Sequence, residues 1–331
     1  MSERTLSVKK KFEPYLMGIK GVKGVAVNGS IVVYVEKATP ELLQVIPKEV
    51  DGVQVRVKET GRVSLLSIKP MAAIFANRVG RWRPAPGGVS IGHPQVTAGT
   101  LTCCAIDRGD GKLVGLSNNH VVALNWGSAQ IGKVGDPILQ PGPYDGGINP
   151  TDKIGELLRW SKVSASEDNT VDAAVFKSDL LRKDVLDVGK PSQSKEPYLG
   201  MNVVKSGRSS GVTFGKVTGV NATISVDDEE FGTCIFKDQI VIEPPILVGG
   251  DSGSWIGEVD SFESVGLGFA GSDVISVANK AILVEEMMNL TIIPPLPKIG
   301  LAAMVAMWGG ILGVGAVLTK GGRKNGKAYV A

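Results

Sequence analysis

Short apolar runs separated by turn residues recur along this chain of 331 residues, and the first of them lie within residues 1–70. Val22–Val27 and Ile31–Val35 flank Asn28-Gly29, a dipeptide typical of a two-residue hairpin turn. Three weaker patterns surround this hairpin: a charged stretch with helical periodicity at 2–17, a short helix from Pro40 and a strand at Val53–Val57. Residues 1–70 are therefore predicted to form a small α+β domain.

No residue of this small domain predicts chemistry. One possibility is a role in partner binding, in regulation or as a pro-domain. The alternative is that it is an extension that stabilises the next domain. The segment that follows, 71–87, is rich in Arg, Pro and Gly and is predicted to be a linker.

Strand-like runs and turns dominate residues 88–290, which predicts a mainly β domain. The 43 glycines suit many tight turns, and a hydrophobic content of 43% is enough for two cores. The acidic residues at 227–230 are expected to form a solvated hairpin tip.

Charge and cysteine content exclude several function classes. The net charge of +3 and the lack of a basic run with interleaved aromatic residues argue against a nucleic-acid surface. Three cysteines do not make a disulfide framework, and adjacent Cys103 and Cys104 are expected on opposite faces of one strand. With two histidines and no cysteine spacing of the metal-binding kind, no metal and no cofactor are expected.

Three motifs contain residues suited to nucleophilic catalysis. Ser252 lies in the glycine turn 249–255, His120 lies in the segment 117–123, and Asp172 opens the apolar run 171–175. A serine hydroxyl needs a base to accept its proton, histidine suits that task, and a carboxylate orients the imidazole. The backbone N–H groups of Gly250 and Ser252 are expected to form an oxyanion hole. Each motif alone also fits a structural role, as a turn, a core histidine or a strand-edge carboxylate, and their joint occurrence favours catalysis.

These motifs resemble those of chymotrypsin-fold (trypsin-like) serine peptidases, in the disulfide-poor branch of prokaryotes and their viruses. The resemblance covers about residues 88–290 and implies two six-stranded β-barrels with the active site between them. It makes His120 the general base, Asp172 its orienting carboxylate and Ser252 the nucleophile. The matching strings are TAGTLTCCAI (97–106), SNNHVVA (117–123), DAAV (172–175), KSGRSSGVTFGKV (205–217) and GGDSGSW (249–255).

The same resemblance bears on specificity and activation. It implies a candidate substrate pocket with Ile246 at its floor and the segment Phe269, Ala270 and Gly271 at one wall. Such a pocket favours a small or apolar residue before the cleaved bond, the P1 position. The counterpart of Asp251 in animal members pairs with an amino terminus released on activation. Arg78-Val79-Gly80 resembles such an activation site, although the linker interpretation is favoured.

The carboxy-terminal part, 291–331, is predicted to hold a linker, a hydrophobic helix and a basic tail. Residues 299–318 are twenty consecutive residues without a charge, enough for one transmembrane helix, and four basic residues follow. The alternative is a buried or membrane-surface helix. The basic tail predicts a cytoplasmic carboxy terminus and an external peptidase, whereas residues 1–20 lack the apolar core of a signal peptide. The prediction is therefore membrane association through 299–318, with the side of the peptidase left open.

Two functions are compatible with these features. The first is a membrane-anchored serine endopeptidase that cuts protein or peptide substrates through an acyl-enzyme, with membrane-proximal substrates or its own tail as candidates. The second is a non-catalytic double-barrel module that binds partners in a virus particle or membrane complex. The intact trio of His120, Asp172 and Ser252 favours the enzyme.

Overall fold

β-Strands make up most of the architecture in the computed structural model, which describes residues 3–66, 74–228 and 232–292. The mainly β prediction is confirmed. The amino-terminal elements are α1 (Glu3–Met17), β1 (Val22–Asn28), β2 (Ser30–Val35), α2 (Pro40–Val45), β3 (Glu49–Val50), β4 (Val53–Glu59) and β5 (Ser64–Leu65). The helix, the hairpin, the second helix and the strand predicted for this part are thus confirmed.

The middle of the chain contains short strands and two single-turn 3₁₀ helices, at Ala76–Arg78 and Pro143–Asp145. Its other elements are β6 (Ala85–Gly87), β7 (Ser90–Ile91), β8 (Gly99–Thr100), β9 (Cys103–Asp107), β10 (Leu113–Ser117), α3 (Asn119–Val122), β11 (Pro137–Leu139), β12 (Lys153–Trp160), β13 (Ala174–Lys177) and β14 (Leu181–Val185). Five of these strands and the last strand, β22 (Leu290–Thr291), form one sheet in the order β11-β12-β13-β10-β9-β22.

Cys103 and Cys104 lie on β9 and contribute to two different apolar clusters, as expected for successive residues of a strand. Both thiols are free and buried. Burial raises the pKa of Cys104 to about 11, which keeps this thiol protonated near neutral pH.

The remaining strands form a larger sheet. They are β15 (Ser192–Ser194), β16 (Asn202–Gly207), β17 (Gly211–Asp228), β18 (Gly232–Glu243), β19 (Trp255–Glu258), β20 (Glu263–Gly271) and β21 (Ser276–Lys280), with α4 (Ala281–Met287) after them. Antiparallel pairings run β16-β19-β20-β21-β18-β17, and β17 pairs again with β16, so these six strands form a closed cycle of pairings.

The amino-terminal strands extend this larger sheet. β1 pairs with β17, and the order continues through β2 and β4 to β3. Gly24 permits the close approach of β1 to β17, because a Cβ at this position would lie only 2.7 Å from the backbone oxygen of Thr223. Contacts join the described residues into one compact unit.

The β17–β18 hairpin differs from the expectation of a solvated acidic tip. Asp227 is only 7% exposed, and its carboxylate lies 3.0 Å from the Lys23 ammonium and 3.5 Å from the Arg62 guanidinium. Asp228 is also buried, while 229 and 230 lie outside the described residues. A run of acidic residues predicts an exposed turn when it is interpreted locally. The amino-terminal segments that cover this hairpin are distant in sequence, so the local charge pattern does not indicate them.

Within 3–66, 74–228 and 232–292, no helix is both long enough and apolar enough to cross a membrane. The predicted span 299–318 and the basic tail lie outside the described residues.

Candidate active site

His120 and Asp172 meet because they lie at adjacent ends of two paired strands. His120 is in α3, directly after β10, and Asp172 precedes β13, whose Ala174 pairs with Ser117 of β10. The Nδ1 atom of His120 bonds to Oδ2 of Asp172, and the backbone N–H of His120 donates to Oδ1 over 3.3 Å. Both side chains are almost completely buried. The carboxylate therefore sets the orientation of the imidazole and leaves Nε2 outside the His–Asp pair.

Two asparagines hold the backbone of Asp172 in place. Asn118 donates its side-chain amide to the Asp172 carbonyl over 2.7 Å, and the Asp172 N–H donates to Oδ1 of Asn279 over 3.1 Å. Asn118 precedes α3, whereas Asn279 is in β21, so Asp172 is fixed from both sheets. Asn118 lies inside the SNNHVVA motif, but no sequence signal marked Asn279.

Ser252 lies in a turn that only glycine permits at two positions. Gly250 and Gly253 both have φ of +91°, in the left-handed region that favours glycine. A Cβ at Gly253 would lie 2.2 Å from the carbonyl oxygen of Thr100. Thr100 also donates its N–H to the Ser252 carbonyl over 2.7 Å and its hydroxyl to the Gly250 carbonyl over 3.0 Å. β8, which contains Thr100, thus fixes the shape of the turn.

A buried ion pair supports the same turn from behind. The Lys205 ammonium lies 2.9 Å from Oδ2 of Asp251, and neither side chain is exposed. Oδ1 of Asp251 accepts the backbone N–H groups of Ser209 and Ser210 over 2.8 and 3.1 Å. Burial lowers the pKa of Lys205, and the Asp251 carboxylate opposes that shift. Lys205 was missed as a site residue, although it opens a motif that carried the resemblance.

The geometry around Arg78 bears on the activation-site interpretation. The Arg78 guanidinium is fully buried and donates to the Gly88 carbonyl over 2.9 Å, to Ser206 Oγ over 2.8 Å and to Asp187 over 2.7 Å. An arginine held in this way is inaccessible to an activating protease, and Asp251 already has an internal cation as its partner.

The hydroxyl of Ser252 faces the segment Phe269–Gly271 of β20. It donates to the Phe269 carbonyl over 3.2 Å. Among the described residues, Nε2 of His120 has no hydrogen-bond partner although it is buried. The segments that contain His120 and Ser252 both approach Gly99. A Cβ on Gly99 would lie 2.5 Å from Cγ2 of Val121, the residue after His120, and 2.8 Å from the Ser252 carbonyl oxygen.

The predicted pocket residues belong to two different apolar clusters. Ile246 is in a cluster of the larger sheet, and its N–H donates to Ser276 Oγ over 2.9 Å. The side chain of Phe269 is in another cluster, where the centroid of its ring lies 4.8 Å from the ring centroid of Phe236. Trp126 joins this second cluster to the site, since its ring makes an edge contact with His120 at 5.9 Å between centroids. The assignment of Ile246, Phe269, Ala270 and Gly271 to substrate binding stays a prediction.

The predicted oxyanion-hole donor Gly250 binds a peptide carbonyl from a distant part of the chain. Its backbone N–H donates to the carbonyl oxygen of Leu66, directly after β5. No feature of the sequence predicted this contact.

The second histidine, His93, forms hydrogen bonds with protein groups. His93 is buried, with Nε2 at 3.3 Å from Asp136 and Nδ1 accepting the Gln95 N–H over 3.2 Å. In the part of the chain that the structure describes, no group of three His, Cys, Asp or Glu side chains is placed to hold a metal ion.

Among known proteins, similarity to this chain is found with solved structures. No family model and no curated protein matches the chain. Nocardiopsis protease (NAPase) is 17% identical, with 62% of this chain and 97% of the protease covered and a TM-score of 0.43. Chymotrypsin of Cellulomonas bogoriensis is 16% identical, with coverages of 63% and 97% and a TM-score of 0.43. The active form of the Rv3671c protease from M. tuberculosis is 18% identical, with coverages of 66% and 87% and a TM-score of 0.39. Because these sequence identities and TM-scores are low, the function is inferred from the geometry of this chain itself.

Proposed function

We propose that the chain is a serine endopeptidase that hydrolyses peptide bonds through an acyl-enzyme, with His120, Asp172 and Ser252 as catalytic residues. The observation that carries the proposal is a combination of two features. A buried His–Asp pair leaves one imidazole nitrogen without a partner among the described residues. Ser252 lies in a glycine turn whose Gly250 N–H binds a peptide carbonyl, and a Cβ on Gly99 would contact both this turn and Val121, the residue after His120.

The chemistry follows from these positions. Ser252 Oγ attacks the substrate carbonyl carbon, its proton passes to Nε2 of His120, and Asp172 stabilises the resulting imidazolium. The N–H groups of Gly250 and Ser252 stabilise the oxyanion, where one such donor is worth about 2.7–4 kcal/mol. His120 then protonates the leaving amine as the C–N bond breaks. A water molecule, deprotonated by His120, hydrolyses the ester and restores Ser252.

The proposed fold is the double β-barrel of chymotrypsin-like peptidases. The cycle of pairings through β16, β19, β20, β21, β18 and β17 supports the carboxy-terminal barrel. The sheet β11-β12-β13-β10-β9-β22 supplies the strands of the other barrel. His120 follows β10 and Asp172 precedes β13 in the second of these sheets, and Ser252 precedes β19 in the first, which supports a site between the two barrels.

Membrane anchoring through 299–318 is part of the proposal. Its support is the run of twenty uncharged residues followed by Lys320, Arg323, Lys324 and Lys327. If it is correct, the full chain sediments with membranes and stays there after alkaline carbonate extraction. Release into the supernatant would contradict it.

A non-catalytic binding module is the second candidate function, since Ser252 donates to Phe269 and not to His120 in this structure. A fluorophosphonate probe discriminates between the two because it reacts only with an activated serine. The expected result is labelling of wild type and of the control Ser166→Ala, whose exposed loop lies outside the site. Ser252→Ala should remain unlabelled. Equal labelling of Ser252→Ala would contradict the assignment of the nucleophile.

A further inference from the structure

A segment of the amino-terminal part, residues 63–66, lies against β20 and against the turn that contains Ser252. Residues 64–65 form β5, which lies between β17 and β20. On the β20 side the pairing is antiparallel, with Leu65 opposite Ala270 and Ser64 opposite Gly271. On the β17 side, the N–H of Asp227 donates to the Val63 carbonyl over 2.9 Å. An extended peptide that adds a strand to a sheet edge is a common mode of peptide recognition.

The direction of this segment leads its backbone to the nucleophile. From Ser64 opposite Gly271 the chain runs toward Phe269, whose carbonyl accepts the Ser252 hydroxyl. The next carbonyl along the segment, that of Leu66, accepts the Gly250 N–H. A scissile carbonyl must occupy this position for its developing oxyanion to be stabilised. Leu66 is therefore held as the P1 residue of a substrate.

The side chains of the segment fit the same assignment. Leu66 packs against the apolar cluster that contains Ile246 and Leu247, so an apolar side chain fills the space beside the predicted pocket floor. Its Cδ1 atom lies 3.6 Å from the place of a Cβ on Gly271. Leu65 is buried in the other cluster, together with Phe269.

The amino-terminal elements hold the segment in the cleft. β1 pairs with β17, and Lys23 and Arg62 both reach the carboxylate of Asp227. These contacts lie on the strand that also flanks β5. Because the segment is covalently attached and anchored nearby, its effective concentration at Ser252 is high.

We infer that the enzyme cleaves its own chain after Leu66, and that the amino-terminal part then remains in the cleft as a product inhibitor; the inference rests on the proposed function. Ser252 Oγ attacks the Leu66 carbonyl carbon and its proton passes to His120. The bond to the nitrogen of Ser67 breaks, His120 protonates that amine, and water hydrolyses the Leu66 ester. The products are a Leu66 carboxylate and a new amino terminus at Ser67.

Two consequences follow. Residues 3–66 keep their pairing with β17 after cleavage, so the Leu66 carboxylate competes with substrates for the Gly250 N–H. The primary pocket prefers leucine, because a charged P1 side chain would lose its hydration among these apolar groups.

The test uses four forms of the full chain and intact-mass analysis. Wild type should give a fragment that ends at Leu66 and a partner that begins at Ser67, and Ser252→Ala should stay whole. Leu66→Asp should slow this cleavage by at least about 100-fold, because the carboxylate is excluded from the apolar pocket. The matched control Leu43→Asp changes an exposed leucine of the same amino-terminal part and should be cleaved like wild type.

Fluorophosphonate labelling of the same four forms separates the two hypotheses. Leu66→Asp should be labelled at least as fast as wild type, because the cleft is less often occupied, and this labelling also shows that the variant is folded. Labelling of Ser252 without a Leu66 end in wild type would overturn the inference alone. Absence of labelling in every form would overturn the proposed function, and the self-cleavage with it.

A peptide assay gives a second measurement that does not depend on the folding of a variant. Matured wild type is offered the chromogenic peptides Val-Ser-Leu-Leu and Val-Ser-Leu-Asp, each with a carboxy-terminal leaving group. The expected ratio of kcat/KM is at least about 100 in favour of leucine. Equal rates, or a preference for aspartate, would overturn the assignment of Leu66 to P1.

Discussion

Replacement of Lys205 by methionine tests whether the buried ion pair maintains the turn that contains Ser252. Methionine keeps most of the apolar stem and removes the ammonium, which leaves the Asp251 carboxylate without a cation in a site that is not exposed. Breaking a buried pair in this way costs about 3–5 kcal/mol. Asp251 keeps the N–H groups of Ser209 and Ser210, so we expect a loss near the lower limit, about 3 kcal/mol.

The measurement is the free energy of unfolding in denaturant, made in the Ser252→Ala background so that the proposed self-cleavage does not intervene. The matched control is Lys162→Met, which removes an exposed pair with Glu167 and should cost less than about 1 kcal/mol. With Ser252 restored, Lys205→Met should also slow fluorophosphonate labelling, because Asp251 and Ser252 share one turn. A loss below about 1 kcal/mol together with wild-type labelling would refute this reasoning.

The remaining predictions concern the turn, one histidine and one asparagine. Gly253→Ala should reduce labelling at least about 100-fold, because the new Cβ would lie 2.2 Å from the Thr100 carbonyl oxygen and the residue must keep φ of +91°; wild-type labelling would contradict this. Burial lowers the pKa of His93 below its usual 6.5, so the unfolded chain takes up this proton first, and the free energy of unfolding should fall as the pH drops below about 6.5. His93→Gln should flatten that decline, and an identical pH profile would disprove its origin in this residue. Asn279→Ala removes the acceptor of the Asp172 N–H and should slow labelling about 10-fold in a chain that thermal denaturation shows to be folded; an unchanged rate would exclude a positioning role.

The features that sequence predicted correctly depend on local signals. The amino-terminal hairpin follows from Asn28-Gly29, and α2 begins where Thr39 caps a helix with proline at its first position. The opposite faces of Cys103 and Cys104 follow from strand periodicity.

The features that sequence missed depend on residues far apart along the chain. β5 has only two residues and no periodic pattern, so the sequence does not predict it as a strand. The contact of Leu66 with Gly250 depends on the pairing of β5 with β17 and β20. The pairing of Lys205 with Asp251 joins charges 46 positions apart, and charge pattern gives no indication of such a partner. The burial of Asp227 likewise depends on the amino-terminal elements that cover it.

The most direct test of the central claim is the site of fluorophosphonate attachment, mapped by mass spectrometry of the digested full chain. We expect the label on the peptide containing Ser252 in wild type and Leu66→Asp, and His120→Ala should reduce labelling by about 10⁴-fold or more. Folded wild type and folded Leu66→Asp that both remain unlabelled, or a label on any other serine, would contradict it.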